Sequence, residues 1–457
     1  MEKNTAIQER EKMKKIPPGE RIKSFKEIES CLSKKQALGE ANRCLQCINP
    51  SCTNGCPAGV NCKEFIKKIR EENFQGSLQA ILEQNPLPCF TSRGCNSEAQ
   101  CEGSCVLGKT GEPVSIRALE RFVVENSELK NINSDTSKNS VAIIGAGPAG
   151  LAAAVEFRKI GINGKIFEKK SHLCGLAADA IPEYRIPKKV TDKQEAWMQK
   201  QGIEIEKGFK AGEKKTISEI MNEFDAVLIA TGESCAKKLD VKGKELEGIY
   251  YWNNFLEEYC HGNGKKANGK KCVVVGGGDT AMDCARTALR MGFETTIAYR
   301  KNLEFMPCRK KEYAEALEEG IKFEYLLSPE EFSGEKKLEK IKFQKLEIKK
   351  EEFLPTGQAV EIEADLAILA IGQEFDETVF KGSMLQGKPP KEGISKTDLH
   401  GVFLAGDAIN SQKTIVHAIQ SAKNAVREIQ QFIKDKKQKN GKEPEHGLQR
   451  TDVLLGA

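Results

Sequence analysis

Seven cysteines near the amino terminus form two groups whose spacing could hold metal. The first group has the pattern C-x2-C-x4-C-x3-C and the second C-x5-C-x3-C, and together they comprise Cys44, Cys47, Cys52, Cys56, Cys95, Cys101 and Cys105. Thiolates at such short spacings bind zinc or iron–sulfur clusters. Seven cysteines are more than one zinc site needs and one short of two four-cysteine sites. Spacing alone leaves both metals open.

A glycine-rich loop of different chemistry follows at "GAGPAG", directly after a run of β-branched residues. Here Gly145 permits a tight turn, Gly147 lets the backbone approach a pyrophosphate, and Gly150 allows close packing of helix on strand. The next strand ends in Glu168, 23 residues after Gly145, where an acid that binds a ribose is expected. The loop residues of this predicted dinucleotide site are Gly145, Gly147, Pro148, Ala149 and Gly150.

The second loop, "GGGDTA", has the same form but lacks the acid. The strand after it ends in Tyr299 and continues into Arg300 and Lys301, so no carboxylate stands there to repel a 2′-phosphate. Arginine offers a phosphate a bidentate partner, and this site is predicted to prefer NADPH to NADH. An exposed arginine at a strand end is the alternative reading, and Arg309 is a weaker candidate for the phosphate. The loop residues are Gly276, Gly278, Asp279, Thr280 and Ala281.

Two nucleotide loops of different type suggest a flavin in one and a nicotinamide in the other. A flavin takes hydride pairs but can release single electrons, so iron–sulfur clusters beside it have a purpose. This pairing favours clusters over zinc. A thioredoxin-reductase-like function is not expected, because Cys260, Cys272, Cys284 and Cys308 form no C-x-x-C pair. Hydride transfer needs no side-chain acid or base, and no catalytic residue is assigned.

The elements that position these residues follow from the hydrophobic pattern. The cysteine-rich region has helical stretches and no convincing strand alternation, and residues 127–140 are a polar linker by composition. Two strand–loop–helix–strand units follow at 141–170 and 271–301. Short strands are predicted at 225–232, 365–372 and 401–408, with a helix after Thr414.

Composition excludes two classes of function. The chain has 71 Lys and Arg against 66 Asp and Glu, and no basic run is interleaved with aromatics, which argues against nucleic acid as a partner. No apolar run reaches about eighteen residues and no signal peptide is seen, so no membrane span and a cytoplasmic location are expected. There, sixteen cysteines point to metal or redox chemistry before disulfides.

The chain up to about residue 435 resembles the small (beta) subunit of NADPH-dependent glutamate synthase. The matching stretches are "RCLQCINPSCTNGCPAGV", "NPLP", "CEGSCVLGKTGEPVSIRALERF", "IPEYRIPKKV" and the two glycine loops. A similar module forms the amino-terminal part of dihydropyrimidine dehydrogenase and the large subunit of the bifurcating NADH-dependent ferredoxin:NADP oxidoreductase.

The resemblance implies an α/β fold with a helical iron–sulfur domain ahead of two Rossmann-like domains. The helical domain would cover residues 1–137. The FAD-binding domain would cover 138–245 and 373–435, with the NADPH-binding domain inserted at 246–372 and a polar tail at 436–457.

The resemblance also implies how the cysteines are divided, because in this family the ligands of two [4Fe–4S] clusters cross between the groups. One cluster is implied on Cys44, Cys47, Cys52 and Cys105, and the other on Cys56, Cys95, Cys101 and Glu120. A carboxylate is a harder ligand than a thiolate, so the two potentials should differ. A surface carboxylate is the alternative for Glu120. Three further cysteines fall outside the ligand positions and are expected to be small buried residues: Cys31, Cys62 and Cys89.

Further flavin contacts are implied beyond the first loop. In this family the late Gly-Asp pair supplies an Asp that binds the ribityl chain, here Asp407. The helix after Thr414 would face the isoalloxazine, where its positive end favours reduced flavin. Many relatives have two glycines where Cys174 and Gly175 stand, so local packing departs from the pattern. The implied residues are Gly175, Leu176, Gly232, Gly406, Asp407 and Thr414.

The implied function is electron transfer from NADPH through FAD and the two clusters to an acceptor. The acceptor would be a partner protein, such as the glutamate synthase large subunit or a ferredoxin, or a small molecule. The alternatives are a stand-alone NADPH:acceptor reductase, a bifurcating large subunit, and a non-enzymatic scaffold, which the intact loops disfavour. The sequence leaves open the acceptor, the direction of flow, bifurcation and the oligomeric state.

Overall fold

The computed structural model of this chain describes residues 9–132, 138–262, 267 and 269–440. The expected linker at 127–140 and the expected tail from residue 436 lie partly outside these ranges. The described residues form an amino-terminal helical part, two parallel sheets flanked by helices, and a small antiparallel sheet. They contain no helix long and apolar enough to cross a membrane.

The helices, numbered along the chain, are α1 (Pro18–Arg21), α2 (Lys34–Arg43), α3 (Ser51–Asn54), α4 (Cys62–Arg70), α5 (Phe74–Leu82), α6 (Pro88–Gly94), α7 (Ile116–Glu125), α8 (Pro148–Lys159), α9 (Leu176–Asp179), α10 (Lys188–Gln199), α11 (Ile217–Met221), α12 (Trp252–Tyr259), α13 (Asp279–Arg290), α14 (Lys310–Glu318) and α15 (Ile415–Asn440). The strands are β1 (Ser140–Ile144), β2 (Asn163–Glu168), β3 (Glu204–Lys207), β4 (Ala226–Ile229), β5 (Cys235–Ala236), β6 (Ile249–Tyr251), β7 (Lys271–Val275), β8 (Glu294–Tyr299), β9 (Lys322–Tyr325), β10 (Leu327–Ser333), β11 (Lys340–Lys349), β12 (Glu352–Glu363), β13 (Leu366–Leu369), β14 (Gln373–Glu374) and β15 (Val402–Leu404).

The helical part carries the cysteines in turns at helix ends. Side-chain caps start three of its helices: Ser33 caps α2, Asn61 caps α4 and Asn73 caps α5. Since α2 ends at Arg43 and α6 at Gly94, Cys44 and Cys95 are the residues directly after a helix. The apolar faces of α4 and α7 pack into the core, which holds these turns in place.

The first parallel sheet has the strand order β15-β4-β1-β2-β3 and carries the first glycine loop after β1. Alternate residues of β1 face opposite sides, so Val141 and Ile143 join the core shared with α8, α15 and the helical part. Ala142 and Ile144 face a separate core on the other side. The helical part therefore packs against only one face of this sheet.

The second parallel sheet has the order β6-β13-β7-β8-β9 and carries the second loop after β7. Two connections join it to the first sheet, and they pair with each other as the antiparallel strands β5 and β14. The segment that leads into the second sheet and the segment that leads out of it therefore lie next to each other. This arrangement agrees with the expected insertion of one nucleotide-binding domain in the other.

The antiparallel sheet β10-β11-β12 was not anticipated from the sequence. Its central strand has buried Ile341 and Phe343 on one face, but the register shifts between Gln344 and Leu346. The shift interrupts the alternation by which a strand is recognised in a sequence. Strand β12 is mostly exposed.

An amino-terminal segment (residues 9–33) links the helical part to the second sheet. Arg21 is 2% exposed, and its Nε lies 2.6 Å from Glu319 Oε1 beyond α14. Nearer the cysteines, Glu29 pairs with Arg117 at 3.0 Å and with Lys311 at 2.6 Å. Buried pairs of this kind fix geometry more than they add stability, because removing one partner leaves an uncompensated charge.

Candidate functional site

The first glycine loop has the backbone that a pyrophosphate-binding turn requires. Gly145 has a φ of +105°, and a Cβ there would lie 2.7 Å from the carbonyl oxygen of Ala230. A Cβ on Gly150 would collide with the carbonyl of Gly145 itself. By contrast, a Cβ on Gly147 would meet nothing within 4 Å. The middle glycine therefore leaves open the space into which a phosphate can approach.

Glu168 ends β2 beside this loop and is 6% exposed. Its Oε2 accepts a hydrogen bond from the backbone N–H of Ala146 at 2.7 Å, and its Oε1 accepts one from Lys170 N at 2.8 Å. The carboxylate thus braces the loop from below, and it also lines the cavity described next. A carboxylate so held can still accept a ribose hydroxyl, since each oxygen has two lone pairs.

A cavity of about 590 Å³ opens above the first loop and reaches all three parts of the molecule. Its wall includes Gly145 and Gly147 of the first loop, Asp279 and Thr280 of the second loop, and Gly94, Asn96, Ala99 and Gln100 of the helical part. Cys95 lies between two of these wall residues in the chain. Both nucleotide loops and one cysteine turn therefore line the same cavity.

The cavity contains buried polar atoms that lack a partner among the described residues. One is Asp407 Oδ1, and burial, followed by the charge of Glu233, raises the pKa of Asp407 to about 7. Two more are Thr231 Oγ1 and Asn253 Oδ1. Buried polar groups are normally hydrogen-bonded, so these atoms fit a ligand that brings hydroxyl and ring donors, as FAD does. Thr231 and Asn253 were not predicted from the sequence, although Thr231 stands in the small-residue turn before Gly232.

Thr414 lies at the start of α15 and lines the same cavity. Its Oγ1 is 2.7 Å from Nδ1 of His417, and its carbonyl accepts the N–H of Ala418. The first N–H groups of this long helix therefore face the cavity end. Gly175, Leu176, Gly232 and Gly406 also lie on the cavity wall.

The second loop repeats the backbone of the first. Gly276 has a φ of +145°, and a Cβ on Gly278 would meet nothing within 4 Å. Ala281 is fully buried at the position of the third glycine. At the start of α13, however, Asp279 is already bound: its Oδ1 accepts from Arg309 N at 2.9 Å and its Oδ2 from Arg309 Nε at 2.7 Å.

Three basic residues were candidates for a 2′-phosphate, and the structure separates them. Arg309 is held by Asp279 and by Glu312, whose Oε1 lies 3.1 Å away. Arg300 follows β8 and is exposed. Because β7 and β8 are parallel neighbours, Arg300 and the loop after β7 lie at the same sheet edge. Lys301 Nζ stands 5.6 Å from the ring of Phe305 and 5.5 Å from that of Phe353.

One set of cysteines gathers Cys44, Cys52 and Cys105. Burial raises the pKa of the Cys44 thiol, and the charges of Cys52 and Cys105 add to that rise, so the three groups are neighbours. Cys47 is partly buried on the same turn as Cys44. Between them Gln46 has a φ of +52°, a left-handed conformation that turns the chain sharply. We call these four cysteines the outer set.

A second set gathers Cys56, Cys95, Cys101 and Glu120, and we call it the inner set. Burial raises the pKa of Cys56 to about 11, with further contributions from Cys101 and Glu120. Burial also raises the pKa of Cys95, and Glu120, Cys101 and Cys56 contribute. The division of ligands implied by the family pattern stays a prediction. Among the described residues, no three His, Cys, Asp or Glu side chains are arranged around a single metal-ion position.

Glu120 is held in place by two hydrogen bonds to one oxygen. Its Oε1 accepts from Thr91 Oγ1 at 2.7 Å and from Asn85 Nδ2 at 3.2 Å. Burial raises the pKa of Glu120 to about 7. Both hydrogen bonds end on Oε1, so the other oxygen of Glu120, Oε2, is available to act as a ligand.

The remaining cysteines of the helical part do not all behave alike. Cys62 is 2% exposed and Cys89 is 1% exposed, whereas Cys31 is only partly buried. Cys62 lies between the two sets: a hydrogen bond from it lowers the pKa of Cys52 to about 7, and it also bonds with Cys101. Its place between the sets could not be read from its spacing.

Two family models match the chain. Dihydropyrimidine dehydrogenase domain II, 4Fe–4S cluster, matches residues 21–132, and pyridine nucleotide-disulphide oxidoreductase matches residues 139–428. Together with the site geometry they define a class, namely flavoprotein reductases with two nucleotide-binding domains behind an iron–sulfur domain. The chain belongs to the pyridine nucleotide-disulphide oxidoreductase family, in the branch that includes the glutamate synthase small chain.

Similar proteins support this membership. The chain is 31% identical to the glutamate synthase [NADPH] small chain of Azospirillum brasilense, over 92% of this chain and 94% of that one. It is 30% identical to the NAD-dependent dihydropyrimidine dehydrogenase subunit PreT of Escherichia coli, over 87% of this chain and 94% of that one. Among solved structures, Mycobacterium tuberculosis FprA in complex with NADPH has a TM-score of 0.58 at 18% identity, covering 67% of this chain and 87% of that chain. The last likeness concerns the fold alone.

These findings confirm the family, the α/β fold class and the NADPH-dependent flavoprotein oxidoreductase activity that the sequence predicted, with FAD, NADPH and [4Fe–4S] as cofactors. The individual site residues remain predictions.

Proposed function

We propose that this chain carries electrons from NADPH to a partner protein, with FAD on the first loop and a [4Fe–4S] cluster on each cysteine set. The observation that carries the proposal is the shared cavity, whose wall joins Gly147 and Asp279 of the two loops to Gly94 and Asn96 beside Cys95. When bound, FAD exchanges hydride with NADPH and the clusters exchange single electrons. The residues of this chain would bind these groups and orient them toward one another.

The first loop and its surroundings would hold FAD. Gly147 leaves space for the pyrophosphate, and Glu168 would accept a ribose hydroxyl. Asp407 would accept from the ribityl chain through its unpartnered Oδ1. The amino end of α15, at Thr414, would face the isoalloxazine and favour added negative charge there.

The second loop would bind NADPH, with Arg300 and Lys301 on its 2′-phosphate. The names of similar proteins include both an NADPH and an NAD enzyme, so residues of this chain that could contact a 2′-phosphate add independent support for NADPH. Arg300 supports NADPH, since it is exposed and stands at the sheet edge of the loop. Arg309 would support the loop indirectly by holding Asp279.

The inner set would receive electrons first and the outer set would pass them on. Residues beside Cys95 line the cavity, which supports the inner set as the neighbour of FAD. The outer set adjoins the surface: Leu45 is 62% exposed and Ile48 is 92% exposed, on the turn that carries Cys44 and Cys47. Among the described residues these are the two most exposed large apolar side chains.

This exposed apolar turn supports a protein acceptor over a small molecule. The proposed partner is a glutamate synthase large subunit or a ferredoxin-type carrier, since an isolated reductase for small oxidants has no use for such a surface. The proposed location is the cytoplasm, which the sixteen free cysteines support.

The test uses purified protein kept anaerobic. Iron, sulfide and flavin are quantified first, and NADPH oxidation is then followed with a small dye, with a ferredoxin, and with a glutamate synthase large subunit. Fast reduction of one protein acceptor, slowed several-fold by Ile48→Ser while dye reduction is unchanged, is the expected result. Met384→Ser is the matched control, because Met384 is 58% exposed beside Leu385, which packs on the sheet face away from the helical part. Protein without flavin and iron would contradict the proposal, and reduction of dyes alone would favour a stand-alone reductase.

Glu120 is tested separately with Glu120→Ala. Because its carboxylate is assigned to the inner set only, the change should alter or remove one cluster and leave the other intact. Iron content and low-temperature EPR spectra measure this. Two unaltered clusters would remove Glu120 from the ligand set.

A further inference from the structure

Lys423 is a buried cation that joins the first sheet's last helix to the helical part. It lies in α15 and is 8% exposed. Its Nζ donates to the carbonyl oxygen of Ala58 at 2.8 Å, to that of Gln84 at 3.1 Å and to Gln84 Oε1 at 2.5 Å. Among the described residues, no carboxylate lies within ion-pair distance of it.

The three acceptors identify the form of this side chain. Only the ammonium has three N–H donors, and a neutral amine would leave one acceptor without a donor. Burial lowers the pKa of Lys423, with Glu156 acting against that change. Glu156 itself is bound to Lys159 at 2.7 Å. An ammonium buried among carbonyls without a bonded anion is costly unless a negative group lies nearby.

The inner set lies near this ammonium, and its ligands would be anionic with a cluster bound. Ala58 stands two residues after Cys56, and the backbone N–H groups of Val60 and Ala58 donate to the Cys56 sulfur, which lowers the pKa of that thiol. The loop that wraps Cys56 therefore binds its sulfur through N–H groups and Lys423 through a carbonyl. Cys56 is also among the charges that act on Lys423.

We propose that Lys423 compensates the negative charge of the inner cluster and raises its reduction potential above the value its ligands alone would give. This inference rests on the proposed assignment of a cluster to Cys56, Cys95, Cys101 and Glu120. A cluster held by four anionic ligands becomes more negative on reduction, so a fixed positive charge stabilises the reduced form. Lys423 touches neither the cluster's iron nor the substrate and is a positioning residue.

The molecule contains a matched control for this idea. Lys159 on α8 also reaches from the first sheet to the helical part, donating to the carbonyls of Leu82 at 3.0 Å and Glu83 at 3.1 Å. It differs in being paired with Glu156 and in having a side chain that is 24% exposed. Replacing Lys159 removes comparable hydrogen bonds to the helical part. The charge that it removes is already paired with Glu156, unlike the charge of Lys423.

The experiment is an anaerobic redox titration of the full-length holoprotein, followed by EPR. Lys423→Gln keeps a neutral donor for the carbonyls and removes the charge, whereas Lys423→Arg keeps the charge. In the Gln variant we expect the midpoint potential of one cluster to move down and that of the other to stay. The Arg variant should return the first potential toward the wild-type value, and Lys159→Gln should leave both unchanged.

Several outcomes would overturn the inference. One is a Lys423→Gln variant with both clusters intact and both midpoint potentials unchanged. Another is a Lys159→Gln variant whose cluster potential shifts as much as in Lys423→Gln. The third is loss of the cluster in Lys423→Gln together with a shifted cluster potential in Lys423→Arg. Failure of the proposed function would look different, because the wild-type protein would then show no cluster signals at all.

Discussion

The first glycine loop is surrounded by carboxylates, with Glu168 buried beneath it and Asp407 Oδ1 enclosed in the same cavity. The second loop has nearly the same backbone but leads to the exposed Arg300, and its one carboxylate, Asp279, is already bound by Arg309. The two similar turns thus line one cavity but differ in the charged groups beside them. The buried carboxylates suit a group that stays bound through every turnover, and the exposed arginine suits a coenzyme that must enter and leave.

The strongest test of this difference is to replace the middle glycine of each loop by a residue with a side chain. Gly147 and Gly278 have φ values of −71° and −89°, which any residue can adopt, and a Cβ on either meets nothing within 4 Å. Gly147→Val should fold but lose FAD almost completely, since its side chain would occupy the pyrophosphate space. Flavin released from the purified variant measures this.

Gly278→Val is the counterpart and should retain FAD. It should raise the KM for NADPH at least tenfold, because only the second loop is blocked. Full flavin in Gly147→Val, or flavin loss in Gly278→Val, would mean that the two loops have been assigned in the wrong order.

A second test concerns the enclosed carboxylate. In flavin-free protein the folded state keeps a proton on Asp407 up to about pH 7, whereas an unfolded aspartic acid loses its proton near pH 4. The folded state then binds more protons within this window, so its free energy of unfolding falls as the pH rises from about 4 to about 7. Asp407→Asn cannot titrate and should be more stable than the wild type at pH 8 by on the order of 2–4 kcal/mol.

The check for Asp407→Asn is denaturant unfolding of the flavin-free protein at pH 5 and pH 8. At pH 5 the two proteins should differ much less, which serves as the internal control. The same variant should bind FAD more weakly, because it loses a charged acceptor. Equal pH dependence in both proteins would show that Asp407 does not titrate in this range.

A further test concerns the exposed arginine beside the second loop. Arg300→Ala should raise the KM for NADPH roughly 10- to 100-fold, the loss expected for one charge-assisted contact with a phosphate. The KM for NADH should change little. Steady-state kinetics with a dye acceptor measures both, and equal changes for the two coenzymes would remove Arg300 from the site.

The features that could be predicted from the sequence are those that depend on residues close together along the chain. Gly145 and Gly276 are predicted from their motifs to form turns, and both have a positive φ. Glu168 is predicted from its distance along the chain to Gly145. The pairing of Cys56 with Cys95 is different, because it depends on a family pattern and not on local spacing. Long-range contacts without such a pattern were missed, among them Cys62 between the two sets and Arg309 bound to Asp279.

Tertiary surroundings also distinguish residues that the sequence presents as similar candidates. Arg309, Arg300 and Lys301 looked similar as basic residues after the second loop, yet one is bound to carboxylates, one is exposed and one lies over aromatic rings. The antiparallel sheet was missed because the register shift within β11 breaks the alternation.

The amino-terminal segment has a consequence for how the protein is made. Lys15 pairs with Glu315, 300 residues later, and Arg21 pairs with Glu319, 298 residues later. During synthesis these two residues leave the ribosome about 300 residues ahead of their partners in and beside α14, so they cannot pair until that helix has followed. The first sheet waits longer still, because β15 comes from residues 402–404. The helical part, whose two cysteine sets lie within residues 44–120, can therefore collapse before β15 is made, whereas its docking on the completed first sheet comes afterwards.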